Sequence, residues 1–198
     1  MADLTDYSGE FKPDLRYEDF SKDTLSQLLY QFARVTNVLD GEYTTEIMLR
    51  HGQEEALNSQ YKVWERHGPR VMRWIKRTLN IQGDDVATYF KLLQMLPSFS
   101  PEHYDIEWEI LSPEHGIFTV TRCKFLEEME KAGQGFERLI CRESEPRSFQ
   151  MLAKEINPHM VATPLKLPPR KSRDEIACQF EFKIESAAQP GLQLQKAR

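Results

Sequence analysis

At 198 residues the chain has the length of one compact unit, enough to bury about two-thirds of its unfolded surface around a single core. Its 26 Lys and Arg stand against 31 Asp and Glu, a formal charge of -5, and the basic residues are scattered rather than gathered into a stripe, which argues against a nucleic-acid partner. No run approaches the ~20 apolar residues of a membrane span, and Met1-Ala2-Asp3-Leu4 lacks the basic and apolar regions of a signal peptide. The expectation is a cytoplasmic protein whose three cysteines are reduced.

Residues 1–20 carry Tyr7, Phe11, Pro13, Tyr17 and Phe20 without a sustained period and read as an extended arm lying on the body. The body is expected over 21–186, as a helical half (21–99) and a cysteine-bearing sheet half (100–186). Ser21 suits a helix N-cap, and Leu25, Leu28, Leu29, Phe32, Val35 and Leu39 follow at helical spacing as a face expected to be buried. Asp40-Gly41 predicts a stop or kink, because glycine costs roughly 1 kcal/mol inside a helix. Tyr43, Glu46, Ile47 and Arg50 come next, before His51-Gly52 gives a second stop. Another helix, from about Gln53 to Arg66, groups Ala56, Leu57, Tyr61 and Trp64. Gly68-Pro69 predicts a restart, with Val71, Met72, Ile75 and Leu79 inward, and Gly83-Asp84-Asp85 caps a further helix running to Pro97.

The period changes after Pro101. Tyr104, Ile106, Trp108 and Ile110 alternate with acidic residues, as in a strand with one solvated face. A turn at Ser112-Pro113-Glu114-His115-Gly116 leads into a β-branched run, Ile117 to Cys123, that should pair antiparallel with it. Lys124 to Ala132 reads as a short helix ended by Gly133. A further helix begins near Pro146 and stops at Asn157-Pro158. Met160 to Leu167 is an expected edge strand, since Pro164 cannot donate to a ladder. After a basic connection, Ile176, Cys178, Phe180, Phe182 and Ile184 alternate as a last strand, and residues 187–198 have the composition of a loose terminus. The fold class is therefore α+β: a helical N-terminal half on a small, mainly antiparallel sheet with crossover helices. A pocket between the two halves is the natural ligand site.

Cys123, Cys141 and Cys178 all fall in the sheet half. Three thiolates plus one of Glu143, Glu145, His115 or His159 would satisfy tetrahedral zinc, although no C-x-x-C is present. Alternatively one thiol is a nucleophile. Cys141 fits best, because Arg142 follows it and the start of a helix near Pro146 would favour a thiolate. The third reading is packing, as cysteine is among the most buried residue types. A second constellation joins Tyr43, Glu46, Tyr61 and Trp64: Glu46 as a general base or amine acceptor, the aromatics as a stacking surface. Arg170, with Lys171 and Arg173, would clamp an anion.

Several segments also carry a resemblance. Leu79-Asn80-Ile81-Gln82-Gly83-Asp84-Asp85-Val86, Thr119-Val120-Thr121-Arg122-Cys123, Cys141-Arg142 and Leu167-Pro168-Pro169 leading to Cys178-Gln179-Phe180-Glu181-Phe182 resemble a bacterial family of uncharacterised cytosolic proteins. That family is remotely related to the L-2-amino-thiazoline-4-carboxylic acid hydrolase family. A more distant likeness is to the vinyl-reductase type of small-molecule-binding domain, with Leu167 standing where some relatives have another cysteine. The resemblance implies a small-molecule protein, in its sharper form a hydrolase of a small C–N or C–S bond using Cys141 or a cysteine-bound metal. The other class is a non-catalytic ligand sensor with structural cysteines. A homodimer is the default assembly for a protein of this size.

Overall fold

The computed structural model describes residues 3–133 and 135–185. The expected loose terminus at 187–198 lies outside them. The fold is α+β, as the change of period at Pro101 predicts. Helices α1 (Lys22–His51) and α2 (Gln53–Thr78) form a long antiparallel hairpin about Gly52, and α3 (Val86–Gln94) follows. The sheet comprises β1 (Tyr104–Ser112), β2 (His115–Cys123), β3 (Met160–Lys166) and β4 (Cys178–Ile184) in the order β1-β2-β4-β3, antiparallel throughout. Between β2 and β3 run α4 (Lys124–Ala132), α5 (Phe136–Leu139), a wide π turn (Ile140–Ser144) and α6 (Glu145–Ile156). No helix among the described residues is long and apolar enough to cross a membrane.

Local chemistry sets many of these boundaries. Ser21 Oγ accepts from the Thr24 N–H and Asp85 Oδ1 from the Thr88 N–H, which caps α1 and α3. Gly133 ends α4 in the left-handed conformation, at φ 65°. The edge position of β3 accommodates Pro164, and central β4 buries Phe180 and Phe182 completely. Phe149 of α6 packs 4.6 Å from the Phe180 ring and 5.4 Å from Phe118, so α6 is bolted to the sheet by aromatic burial. Each such ring contributes about 1.5–3 kcal/mol.

The structure corrects four expectations. Helix α1 runs straight through Asp40-Gly41: a cost of about 1 kcal/mol at one glycine is outweighed by packing along α2. Likewise α2 continues through Gly68-Pro69. Gly68 lies against α6, and a Cβ there would stand 2.8 Å from the Leu152 side chain, so the glycine serves close helix approach. Third, the helix expected to begin near Pro146 is present as α6, but it has no free N-terminus, because it continues the helical run of α5 and the π turn. Fourth, the apolar stripe of α1 faces outward. Leu29, Phe32, Val35, Leu39 and Tyr43 are between 48% and 66% exposed, whereas Asn37, Asp40, Gly41, Thr44 and Met48 on the opposite side face the interior. The arm folds back on the start of α1, with Leu4 bridging Phe20 and the Tyr7 ring edge-on to Phe20.

Candidate functional site

That inward side of α1 faces a cavity rather than a packed core. The cavity, of about 450 Å³, is walled by α1 and α2 on one side, the β2–β4 face of the sheet on another, and the run from α4 to α6 on the third. Its size falls within the range of small-molecule sites. Phe99, Tyr104, Phe118, Phe149, Phe180 and Trp64 supply aromatic wall.

Cys123, Cys141 and Cys178 all line this cavity. Topology brings two of them there: Cys123 ends β2, Cys178 begins β4, and Val120 pairs with Cys178 across the two strands. Cys141 arrives from the π turn. The three thiols do not, however, make a ligand cluster, and no group of three His, Cys, Asp or Glu side chains among the described residues is arranged to hold a metal ion. The zinc reading thus lacks a donor set of suitable geometry. Histidine offers no fourth ligand: His115 pairs with Glu181 at 3.0 Å across the sheet, and His159 is exposed.

The nucleophile reading of Cys141 is corrected as well. Burial is the main cause that pushes its thiol far above the ordinary range, with the Glu145 carboxylate and the other two cysteines adding to it. The continuous helical run offers no counterweight, for it leaves no free N-terminal N–H groups to favour a thiolate. Cys178 shifts the same way for the same first reason. Cys123 is pushed up to about 11 by burial, moderated by the Leu126 N–H that its sulfur accepts at 3.3 Å as the cap of α4. All three are protonated, packed thiols at neutral pH.

Of the second constellation, only Trp64 reaches the cavity. Tyr43 is 65% exposed, on the outward stripe, and Glu46 forms an exposed ion pair with Arg50 one turn on, so the general-base role expected of it has no place in this geometry. Tyr61 lies in a neighbouring recess, where the Arg147 guanidinium sits 4.2 Å over its ring. The cause is the same unbroken α1: without a kink at Asp40-Gly41, Tyr43 and Glu46 stay on its outer side. Arg170 is not an open anion clamp either. Its side chain is 3% exposed, holds Glu130 through two hydrogen bonds at 2.9 and 2.6 Å, and donates to the carbonyls of Arg173 and Glu175. It staples the basic connection to α4.

The residue that sequence reasoning named only as one of four alternative metal ligands is the cavity's main ionisable group. Glu145, the first residue of α6, turns its carboxyl toward the cavity. Burial, and secondarily the charge of Asp40 on α1, raise it from near 4.5 to about 7. Tyr89, Tyr104 and the three thiols are the other titratable groups that sense its charge. Asp40 itself accepts from Gln60 Nε2 at 2.9 Å, joining α1 to α2 at the cavity wall. Asn37 Nδ2, also in the lining, is buried without a hydrogen-bond partner among the described residues, an arrangement that costs free energy until an acceptor arrives. Only the polar side of α1 could have signalled Asp40 and Asn37, and that side was masked by the stronger apolar stripe. Comparisons with protein-family models, curated proteins and solved structures return no match to this chain.

Proposed function

We propose that this protein binds a small organic molecule in the cavity between the α1–α2 hairpin and the sheet. The observation that supports it is a cavity of about 450 Å³ with an aromatic wall and a few carboxyls in its lining, Asp40, Glu128 and Glu145. Sites with that balance orient an apolar body through few polar contacts. The cysteines then serve as small, polarisable wall.

The test uses 1-naphthylmethanol in equilibrium dialysis, with a water-soluble maleimide as a reporter on the three thiols. Saturable binding of one probe per chain is expected, together with slower labelling of the thiols when the probe is bound. Thr44→Trp, which fills the cavity from α1, should abolish both effects. Binding that is absent, or indifferent to Thr44→Trp, defeats the proposal.

The hydrolase that the sequence resembles is the second reading, favoured by one specific feature. A carboxyl that titrates near neutrality is suited to general acid–base catalysis, and in that role Glu145 displaces Cys141 as the group to test against C–N or C–S substrates. The homodimer is part of the proposal too, with the outward stripe of α1 as the surface that a second copy would cover.

A further inference from the structure

The ionisable groups around the cavity are of one sign. Asp40 from α1, Glu128 from α4 and Glu145 from α6 are there, and among the described residues its lining contains no Lys, Arg or His. This is unexpected in a chain with 26 basic residues. The cations near by are spent elsewhere: Arg147 lies over Tyr61 in the neighbouring recess, and Arg170 is committed to Glu130. Among the described residues no side-chain hydrogen bond stabilises ionised Glu145, and the charge that acts on it, Asp40, is of like sign. An ionised carboxylate held against apolar wall calls for an opposite charge, and an empty protein does not provide one. The lining also includes the aromatic side chains of Phe99, Tyr104, Phe118 and Trp64, and aromatic rings attract organic cations that meet them face-on. An anion would meet the like charge of Asp40 and Glu145, which the single unpartnered Asn37 Nδ2 does not offset, and a neutral molecule leaves the two carboxylates uncompensated.

We infer that the ligand is an organic cation, an ammonium or amidinium group on an apolar, ring-sized body, with its charge between Asp40 and Glu145 and its body on the aromatic wall. This rests on the cavity being the ligand site. The pairing is differential by design: Gln60 already holds one oxygen of Asp40 and so fixes that carboxylate toward the cavity, while Glu145 gains its partner only when the cation enters. Binding therefore strengthens as pH rises through about 7, where Glu145 ionises. The groups facing it from the other elements, Asp40, Tyr89, Tyr104, Cys123, Cys141 and Cys178, include no base that would reverse this sign.

Three probes of one ring system decide the matter: 1-naphthylmethyl-trimethylammonium, 1-naphthylmethanol and 1-naphthylacetate, each measured by equilibrium dialysis at pH 6 and pH 8. The fixed charge of the first removes any titration of the probe itself. At pH 8 the cation should bind about tenfold or more tighter than the alcohol, equivalent to about 1.4 kcal/mol, and the carboxylate should bind more weakly than either. Glu145→Gln should remove most of the cation's advantage over the alcohol and the pH dependence of that advantage. Asp40→Asn should lower the cation's affinity at both pH values. Equal affinity for cation and alcohol, with both lost in Thr44→Trp, would overturn the cationic class but keep the cavity as the ligand site. Failure of all three probes to bind, or binding that survives Thr44→Trp, would overturn both.

Discussion

Glu145 links the site to stability, and the sign can be worked out. Its folded-state value is raised, to about 7 from near 4.5, so its contribution to stability is fully present below the ordinary value and is lost as pH rises through 7. The greatest loss is about 3 kcal/mol. Glu145→Gln cannot ionise, so the difference in unfolding free energy between wild type and variant should shift against the wild type from pH 5 to pH 8. Denaturant unfolding of both proteins at the two pH values measures it, and identical pH profiles would show that the carboxyl is not held in apolar surroundings. The same residue shows what a sequence withholds. An acidic residue beside a proline at a helix start looks like an ordinary first-turn glutamate. Its burial depends on α2 packing along α6, and its rise also on the charge of Asp40 on α1; both helices are remote in the chain.

At the scale of elements, α3 approaches the sheet closely at Gly116. It pairs with Ile110 of β1 and with Phe182 of β4, and α3 lies directly over it. A Cβ there would stand 2.8 Å from Val86 Cγ1, 2.9 Å from the Glu109 carbonyl oxygen and 3.0 Å from Phe90 Cε2. One of those atoms is sheet backbone and another belongs to a buried ring, so neither can move cheaply. Gly116→Ala should cost about 1–3 kcal/mol by overpacking, read as a lowered denaturant midpoint with the cavity's ligand affinity little changed. An unaltered midpoint would mean that α3 sits farther from the sheet. Strand alternation made the β1–β2 hairpin and β4 legible, because period 2 assigns each side chain to a face. By contrast, the rule that glycine interrupts a helix failed at Asp40-Gly41 and Gly68-Pro69, since tertiary packing outweighs a local preference of about 1 kcal/mol.

On the scale of the whole molecule, α1 presents its polar side inward and its apolar side outward. A second copy of the chain covering Leu29, Phe32, Val35, Leu39 and Tyr43, with Tyr17 beside Phe32, would resolve that inversion. These six side chains would form the apolar centre of an interface whose standard size is ~800 Å² per partner. Sedimentation equilibrium should give a mass near twice the 23.3 kDa of the chain, falling to a single chain in Phe32→Glu. A wild type that stays monomeric across the accessible concentrations would rule the dimer out. What the sequence by itself determined was the α+β class, most element boundaries and the strand faces, all of which follow from spacing and capping within a few residues. The tertiary structure alone decided the site: Cys123 and Cys178 share a wall because β2 and β4 are neighbours and Cys141 joins them from the π turn, burial keeps all three protonated, and Asp40 faces the same cavity as Glu145 because α1 continues unbroken through Asp40-Gly41. Burial and the meeting of distant charges depend on which segments cover one another, and no local pattern encodes that.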